Sequence, residues 1–526
     1  MRAAYRRLMT RSPLRSSRRP LMHSLMRPIV WALTCAASLG VGACGYFHPV
    51  GPDYHAPTAP ADARDAVTAP QGQRTAFTPQ AMPDDWWHLY DAPALNAIVE
   101  EALTANRTLR SAAAHLDAAQ GALDQARAAW LPTTSLGAQY ARERGNVYGA
   151  SGLYRHNVAE WNFNVAYDVD LAGRLHRAVE AADATVQAQQ YAYAASQLTV
   201  VAKTVSAYAL VCQANASLAN AKQQLRIAQD QARVTTQLAA RGAASTLDQL
   251  RAEAQVDTQQ AALPPIEAQR QTGLYALAVL LGRDPTRFPA AAADCQTLPV
   301  LAQPMPVGDG MPLLRRRPDV AEAERTLAAS TADIGVAVAQ LYPSVSLGIG
   351  VGGEGTTIGS TLQSSGRTWS IGPMMHWTFP NIATARAQIR AQRANTAGAL
   401  SAYDATVLNA LKEADSALEN YARALDRQQA ITQLDTHSQL ALAQAQRLYR
   451  FGATPFLDLL EAQRTAASSA QQRIAAAGEV LSDQVAVFQA LGGGWGDAAK
   501  RAAAQSQAAD ARLAETLHPT QPKTTE

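Results

Sequence analysis

Between Trp161 and Leu171 apolar and polar residues alternate with period two. Trp161, Phe163, Val165, Tyr167, Val169 and Leu171 fall on one face, and Asn162, Asn164, Ala166, Asp168 and Asp170 on the other. Eleven residues at ~3.3 Å each, tilted near 45°, cross about 25 Å of hydrocarbon, the dimension of an outer-membrane strand. A second segment repeats the pattern: Trp369, Ile371, Pro373, Met375, Trp377 and Phe379 oppose Ser370, Gly372, Met374, His376 and Thr378. Weaker alternation over Thr134–Ala141 and Ser344–Gly352 supplies a partner strand for each, joined through polar, Gly-rich loops at 142–157 and 353–367. The pattern therefore predicts two membrane hairpins, 134–171 and 344–379, and four strands per chain.

Four strands cannot close a barrel, and an open sheet edge is not tolerated in lipid. Oligomerisation follows. Two chains would give eight strands around an interior filled by side chains, whereas three give twelve and leave room for a conduit.

Beyond each hairpin the period changes. No proline interrupts 174–241 or 384–451, so each can form one helix about 100 Å long. Helices of that length imply a coiled coil or a helical tube. Each ends in a short Gly-containing reversal, at tips 242–245 and 452–455, and a helix returns: Thr246–Ala262, broken at Pro264-Pro265 and resumed to Leu281, and Phe456–Leu491.

The chain is written twice, with an offset near 210. The segment from Leu116 matches that from Leu327 at Pro132/Pro343 and at Ser135-Leu136-Gly137/Ser346-Leu347-Gly348, and the segment from Arg241 matches that from Phe451 at Gly242/Gly452 and Asp248/Asp458. A period so long exceeds a solenoid unit and indicates duplicated halves of one pseudo-symmetric body.

The N-terminus is a targeting segment. Residues 1–43 contain eight arginines and no acid, and Ile29–Val41 is too short an apolar run to span a bilayer as a helix. The following Gly42-Ala43-Cys44 resembles a bacterial lipobox, which makes Cys44 the expected lipidated first residue of the mature chain; Gly45 after it favours the outer membrane. The domain plan is a signal peptide (1–43), a lipid-anchored extended tether (44–83), a first structural repeat (84–282), a connection (283–326), a second repeat (327–495) and a disordered tail (496–526).

Composition removes other function classes. Without the leader the chain holds 38 bases against 43 acids, so it has no electrostatic footprint for nucleic acid. Catalysis would need a constellation, and none appears; no cofactor is expected. Gly348, Gly350 and Gly353 match GxGxxG but lie at a membrane strand, not before a helix, and no HxxxH or HExxH pair suggests a metal. Arg315–Arg317 at the repeat junction are expected to pair with acids such as Asp319 and Glu322. Cys212 and Cys295 would both face an oxidising periplasm, but their spacing does not decide whether they pair.

Five segments carry a resemblance: LLRRRPDVAEAE at 313–324, LPPIEAQ at 263–269, LAVLLGRDP at 277–285, LLEAQR at 459–464 and ALGGGW at 490–495. They resemble the outer-membrane efflux protein family, the TolC-like channels, and within it the lipoprotein branch of drug-efflux channels (OprM-like or NodT-like). The resemblance covers Ala81 to Trp495. It implies a mainly α fold: a homotrimer with a 12-stranded outer-membrane β-barrel continuous with an α-helical periplasmic barrel. It also implies partners, a periplasmic adaptor protein and an inner-membrane RND-type pump, and a passive exit duct for small molecules rather than an enzyme. A duct for secreted polypeptides and a non-channel periplasmic coiled-coil lipoprotein are the rival readings.

The same resemblance places a periplasmic gate at Leu457, Asp458 and Glu461, just beyond the second reversal, where threefold symmetry turns each acid into a ring. Tyr449 and Asp248 match positions that link helix pairs in the closed state, whereas Thr454 stands where the family pattern has a gate arginine. Gly242 and Gly452 mark the tips expected to dock the adaptor.

Overall fold

The computed structural model describes residues 49–57, 76–80, 82–146, 152–308, 316–379 and 382–493. The signal peptide, Cys44, Arg315 and the tail at 496–526 lie outside the described residues.

The duplication is visible element by element. Helix α1 (Pro93–Ala105) leads into α2 (Arg107–Ala128), strands β2 (Thr133–Asn146) and β3 (Leu153–Val169), the long helix α3 (Arg174–Ala240) and the returning helices α4 (Thr246–Ala261) and α5 (Leu263–Leu280). In the second half α7 (Pro318–Ala339), β5 (Ser344–Gly355), β6 (Arg367–His376), α8 (Ile382–Arg450) and α9 (Phe456–Ala490) follow in the same order. Helices α2 and α7 each have 22 residues, and α7 starts at Pro318, within the expected connection. The returning helix is continuous in the second half and broken in the first, because Pro264 and Pro265 cannot donate to the ladder and so begin a new helix.

Strands β2, β3, β5 and β6 form one antiparallel sheet in that order. The first hairpin extends beyond the sequence expectation: residues 142–146 and 153–157, expected as loop, continue the ladder as far as Asn146 opposite Leu153. Strand β6 instead stops at His376, short of the expected Phe379.

Two parts expected as tether or connection are folded. Phe77–Thr78 (β1) pairs in parallel with Met305–Pro306 (β4), and the short helix α6 (Ala290–Ala293) is fastened to α3 by a Cys212–Cys295 disulfide. Asn215 adds bonds to the carbonyls of Ala293 (3.1 Å) and Cys295 (2.7 Å), and itself accepts from Arg270 (2.6 Å). Closing a loop of 83 residues destabilises the unfolded chain by about 4.6 kcal/mol in the entropic account.

The largest core lies mid-way along the helices. There Trp86 stacks on Phe488 with ring centroids 4.4 Å apart, over Tyr90, Leu274, Leu277 and Leu281. Part of α3 is apolar enough to cross a membrane, but two thirds of that window is buried in the protein, against this core. Asn106 separates α1 from α2: its side-chain oxygen accepts from the Thr108 and Leu109 amides and its amide group donates to Leu280 O. At the repeat junction the buried Arg317 pairs with Asp319 and with Glu413 of α8, each at 2.7 Å, and donates to Ala490 O. Glu413, not the expected Glu322, is its second acid, because α8 brings it across the end of α9.

Residues 49–57 are also anchored. Val50 N donates to Ala172 O, and buried Arg177 holds Asp53 at 2.6 Å and Glu180 at 2.8 Å. Tyr54 donates to Glu324 under the guanidinium of Arg325. Gly51, at φ 98°, lies so close to Gly335 that a Cβ would fall 2.5 Å from its Cα. This stretch of the expected tether is therefore strapped to the base of the sheet.

Candidate functional site

Both long helices end in the same backbone device. At the first tip Gly242 N donates to Ala239 O and Ala243 N to Leu238 O; at the second Gly452 N donates to Tyr449 O and Ala453 N to Leu448 O. These are Schellman closures, and they place Gly242 and Gly452 at φ 74° and 69°, where a Cβ is strained. A Cβ at either would meet nothing within 4 Å, so the requirement is conformational and the tips stay open to a partner.

Each tip then joins a hydroxyl to an acid. Ser245 caps α4 in a reciprocal box with Asp248, Oγ to Oδ2 at 2.7 Å, and Thr454 donates to Asp458 at 2.7 Å. Asp248 also faces Arg251 at 3.7 Å. No hydrogen bond joins Asp248 to Tyr449 within the described residues. Tyr449 packs its ring on Phe456, 5.9 Å between centroids, and burial, with a smaller contribution from the Asp248 charge, raises its hydroxyl above the ordinary value.

Asp458 and Glu461 line one open groove of about 450 Å³ with His437, Ser438, Ala441, Ala462 and Thr465. Leu457 is exposed and does not line it. The groove thus gathers two acids from α9 and a histidine from α8. His437 escaped the sequence reading because only the α8–α9 packing, and no local motif, brings it to the acids.

At the opposite end the sheet presents two unlike faces. One carries the rows Leu136–Phe163–Val351–Trp369 and Thr134–Val165–Ile349–Ile371, read straight across four strands. The other carries Ser135–Asn164–Gly350–Ser370 and Gly137–Asn162–Gly352–Thr368. Asn164 donates to Asn162 at 3.1 Å, and a Cβ on Gly137 or Gly350 would press within about 3 Å of these side chains. The glycines of the GxGxxG match therefore belong to strand packing and not to a phosphate loop. One face suits hydrocarbon and the other water.

The profile of the outer membrane efflux protein family matches residues 98–283 and 312–493. The chain belongs to that family. Among its relatives, the antibiotic efflux pump outer membrane protein ArpC of Pseudomonas putida is 29% identical over 456 residues, covering 84% of this chain and 92% of the relative. The pyoverdine export outer membrane protein OpmQ of Pseudomonas putida is 30% identical over 432 residues, covering 80% and 90%. The solved outer-membrane channel OprN superposes with a TM-score of 0.78 at 32% identity, covering 85% of this chain and 99% of OprN.

Membership fixes the setting of the geometry above. The fold is that of the TolC-like outer-membrane channels, the location is the outer membrane, and the family consists of channels rather than enzymes. The apolar sheet face then meets lipid, the Asn- and Gly-lined face meets the lumen, and the helices run into the periplasm.

Proposed function

We propose that this protein is the outer-membrane exit duct of a tripartite efflux pump, a homotrimer through which small molecules leave the cell passively. The observation that carries the reading is the four-stranded sheet with an apolar face, a polar face and two edges unpaired among the described residues, mounted on helices about 100 Å long. Relatives named for antibiotic efflux and pyoverdine export support small molecules as the cargo. A periplasmic adaptor docks at the tips around Gly242 and Gly452, and an inner-membrane RND-type pump supplies energy and selects the substrate.

The gate lies at the tip groove. Threefold repetition of Asp458 and Glu461 makes two acidic rings that attract cations and resist closure by mutual repulsion. Tyr449 and Asp248 steady the closed arrangement.

Cys44 carries lipid. Pro49 is fixed against Gly173, at the junction of β3 and α3, where a Cβ on Gly173 would fall 2.4 Å from Pro49 Cα. Five residues of extended chain reach at most about 18 Å from there, which keeps a lipidated Cys44 at the inner leaflet of the outer membrane.

Complementation tests this function. Cells lacking the protein should accumulate a fluorescent efflux substrate and be restored by the wild-type chain. Restoration should fail with Gly242→Val and Gly452→Val combined, with trimers still present. Normal accumulation in the deletion strain, with no other duct expressed, would overturn the reading.

A further inference from the structure

The charged residues of the membrane sheet are sorted by sign. Its four acids, Glu143, Glu160, Asp168 and Glu354, all occupy register positions on the lumen face. Its four arginines, Arg142, Arg144, Arg155 and Arg367, all occupy the lipid-facing positions. Periodicity alone would not produce this, because a charge above the hydrocarbon band is equally tolerated on either face.

Three of these arginines form one cluster. Along β2 the lipid-facing positions read Leu136, Ala138, Tyr140, Arg142, Arg144, so the apolar run ends at an aromatic residue and turns basic at once. At ~3.3 Å per residue and a tilt near 45°, Arg142 and Arg144 stand about 5 and 10 Å above Tyr140, the depth of lipid headgroups. The hairpin end points away from the helical body, so these headgroups belong to the outer leaflet. Arg144 is the direct register partner of Arg155. Like charges opposite each other across a ladder repel.

Nothing in the chain offsets that repulsion among the described residues. None of the three arginines has an ion pair; Glu143, between Arg142 and Arg144 in sequence, lies on the other face with His156 at 3.2 Å. The sequence between β2 and β3, Val147-Tyr148-Gly149-Ala150-Ser151-Gly152, contains no acid. Arg367, by contrast, donates to Leu362 O within its own hairpin. A multiply charged anion seated between Arg144 and Arg155 would convert the repulsion into two charge-assisted hydrogen bonds, with Arg142 adding a third.

We propose that Arg142, Arg144 and Arg155 form a binding site for the phosphate groups of outer-leaflet glycolipid, fastening the barrel to the membrane surface on the side opposite the N-terminal anchor.

The test uses the full-length wild-type trimer in neutral detergent, incubated with bisphosphorylated lipid A or with a phosphate-free analogue of the same acyl composition, and read by native mass spectrometry. The wild type should retain the phosphorylated lipid preferentially. Arg142→Gln, Arg144→Gln and Arg155→Gln combined should weaken that retention by about tenfold or more, while the triple Lys variant keeps most of it. Channel conductance should be unchanged in both, which separates this site from the duct function. Equal retention of the two lipids by the wild type, or equal retention of the phosphorylated lipid by the Gln variant, would overturn the proposal. If the Gln variant does not assemble, the wild-type comparison of the two lipids decides alone.

Discussion

Leu136 on β2 and Trp369 on β6 stand at opposite ends of one cross-strand row that runs through Phe163 and Val351, and neither has a strand on its outer side among the described residues. The row is apolar throughout, so both edges lie in hydrocarbon, where each unpaired backbone group costs several kcal/mol. The chain is thus an arc, and in the proposed homotrimer the β2 edge of one copy pairs with the β6 edge of the next.

Cross-linking between edges follows from this. Within one chain β2 and β6 are separated by three inter-strand spacings, about 14 Å, beyond disulfide reach. A cysteine at Ala138, scanned against cysteines at Trp369, Ile371 and Pro373, should give covalent trimers on oxidation in at least one register. Only monomers in every register would contradict closure by neighbouring copies.

The tip groove predicts a cation-sensitive gate. Glu461→Ala should move block by divalent cations to concentrations about tenfold higher, as one ring of charge is lost. Tyr449→Phe with Asp248→Ala should raise resting conductance, partly because the second change also removes the carboxylate half of the Ser245–Asp248 capping box, leaving only the Asp248 N donation to Ser245 Oγ. Single-channel recording with and without divalent cations checks both.

Arg317 locks the repeat junction. Replacing it by Met removes the charge that Asp319 and Glu413 share and the donor to Ala490 O. The expected loss is about 3 kcal/mol, at the lower end for a broken buried pair because both acids keep access to water. The temperature at which the trimer dissociates should fall, with channel conductance at low temperature unaffected.

Glu322 supplies a pH dependence. Burial, and then the nearby Asp319 charge, hold its carboxyl above the ordinary value of 4.5. The folded state therefore favours the protonated form, and the stability tied to this group is complete below pH 4.5 and is lost as pH rises through the folded value. Glu322→Gln should raise the melting temperature at pH 7 by roughly one or two degrees and leave it unchanged below pH 4. Equal effects at both pH values would contradict this.

The extended features were legible in the sequence because they rest on local period. Alternation located all four strands, and the absence of proline set both long helices to within two residues of α3 and α8. Strand ends were less legible, since Arg142, Glu143 and Arg144 look like loop until their sorting between two faces is seen. The tip glycines could be read from their repetition 210 residues apart, because the strained φ belongs to the residue itself. Contacts that join distant segments left no local trace: the Arg317–Glu413 pair, the Cys212–Cys295 bond, the Arg177–Asp53 strap and the approach of His437 to Asp458 all depend on how helices pack.

Planar-bilayer recording of purified, oxidatively cross-linked trimers tests the central claim most directly. Trimers closed through β2 and β6 should insert to give discrete, long-lived conductance steps, favouring cations and increased by Glu461→Ala in the presence of divalent cations. Folded, cross-linked trimers that insert into the bilayer and pass no current in any of these states would contradict the account of this protein as a conduit.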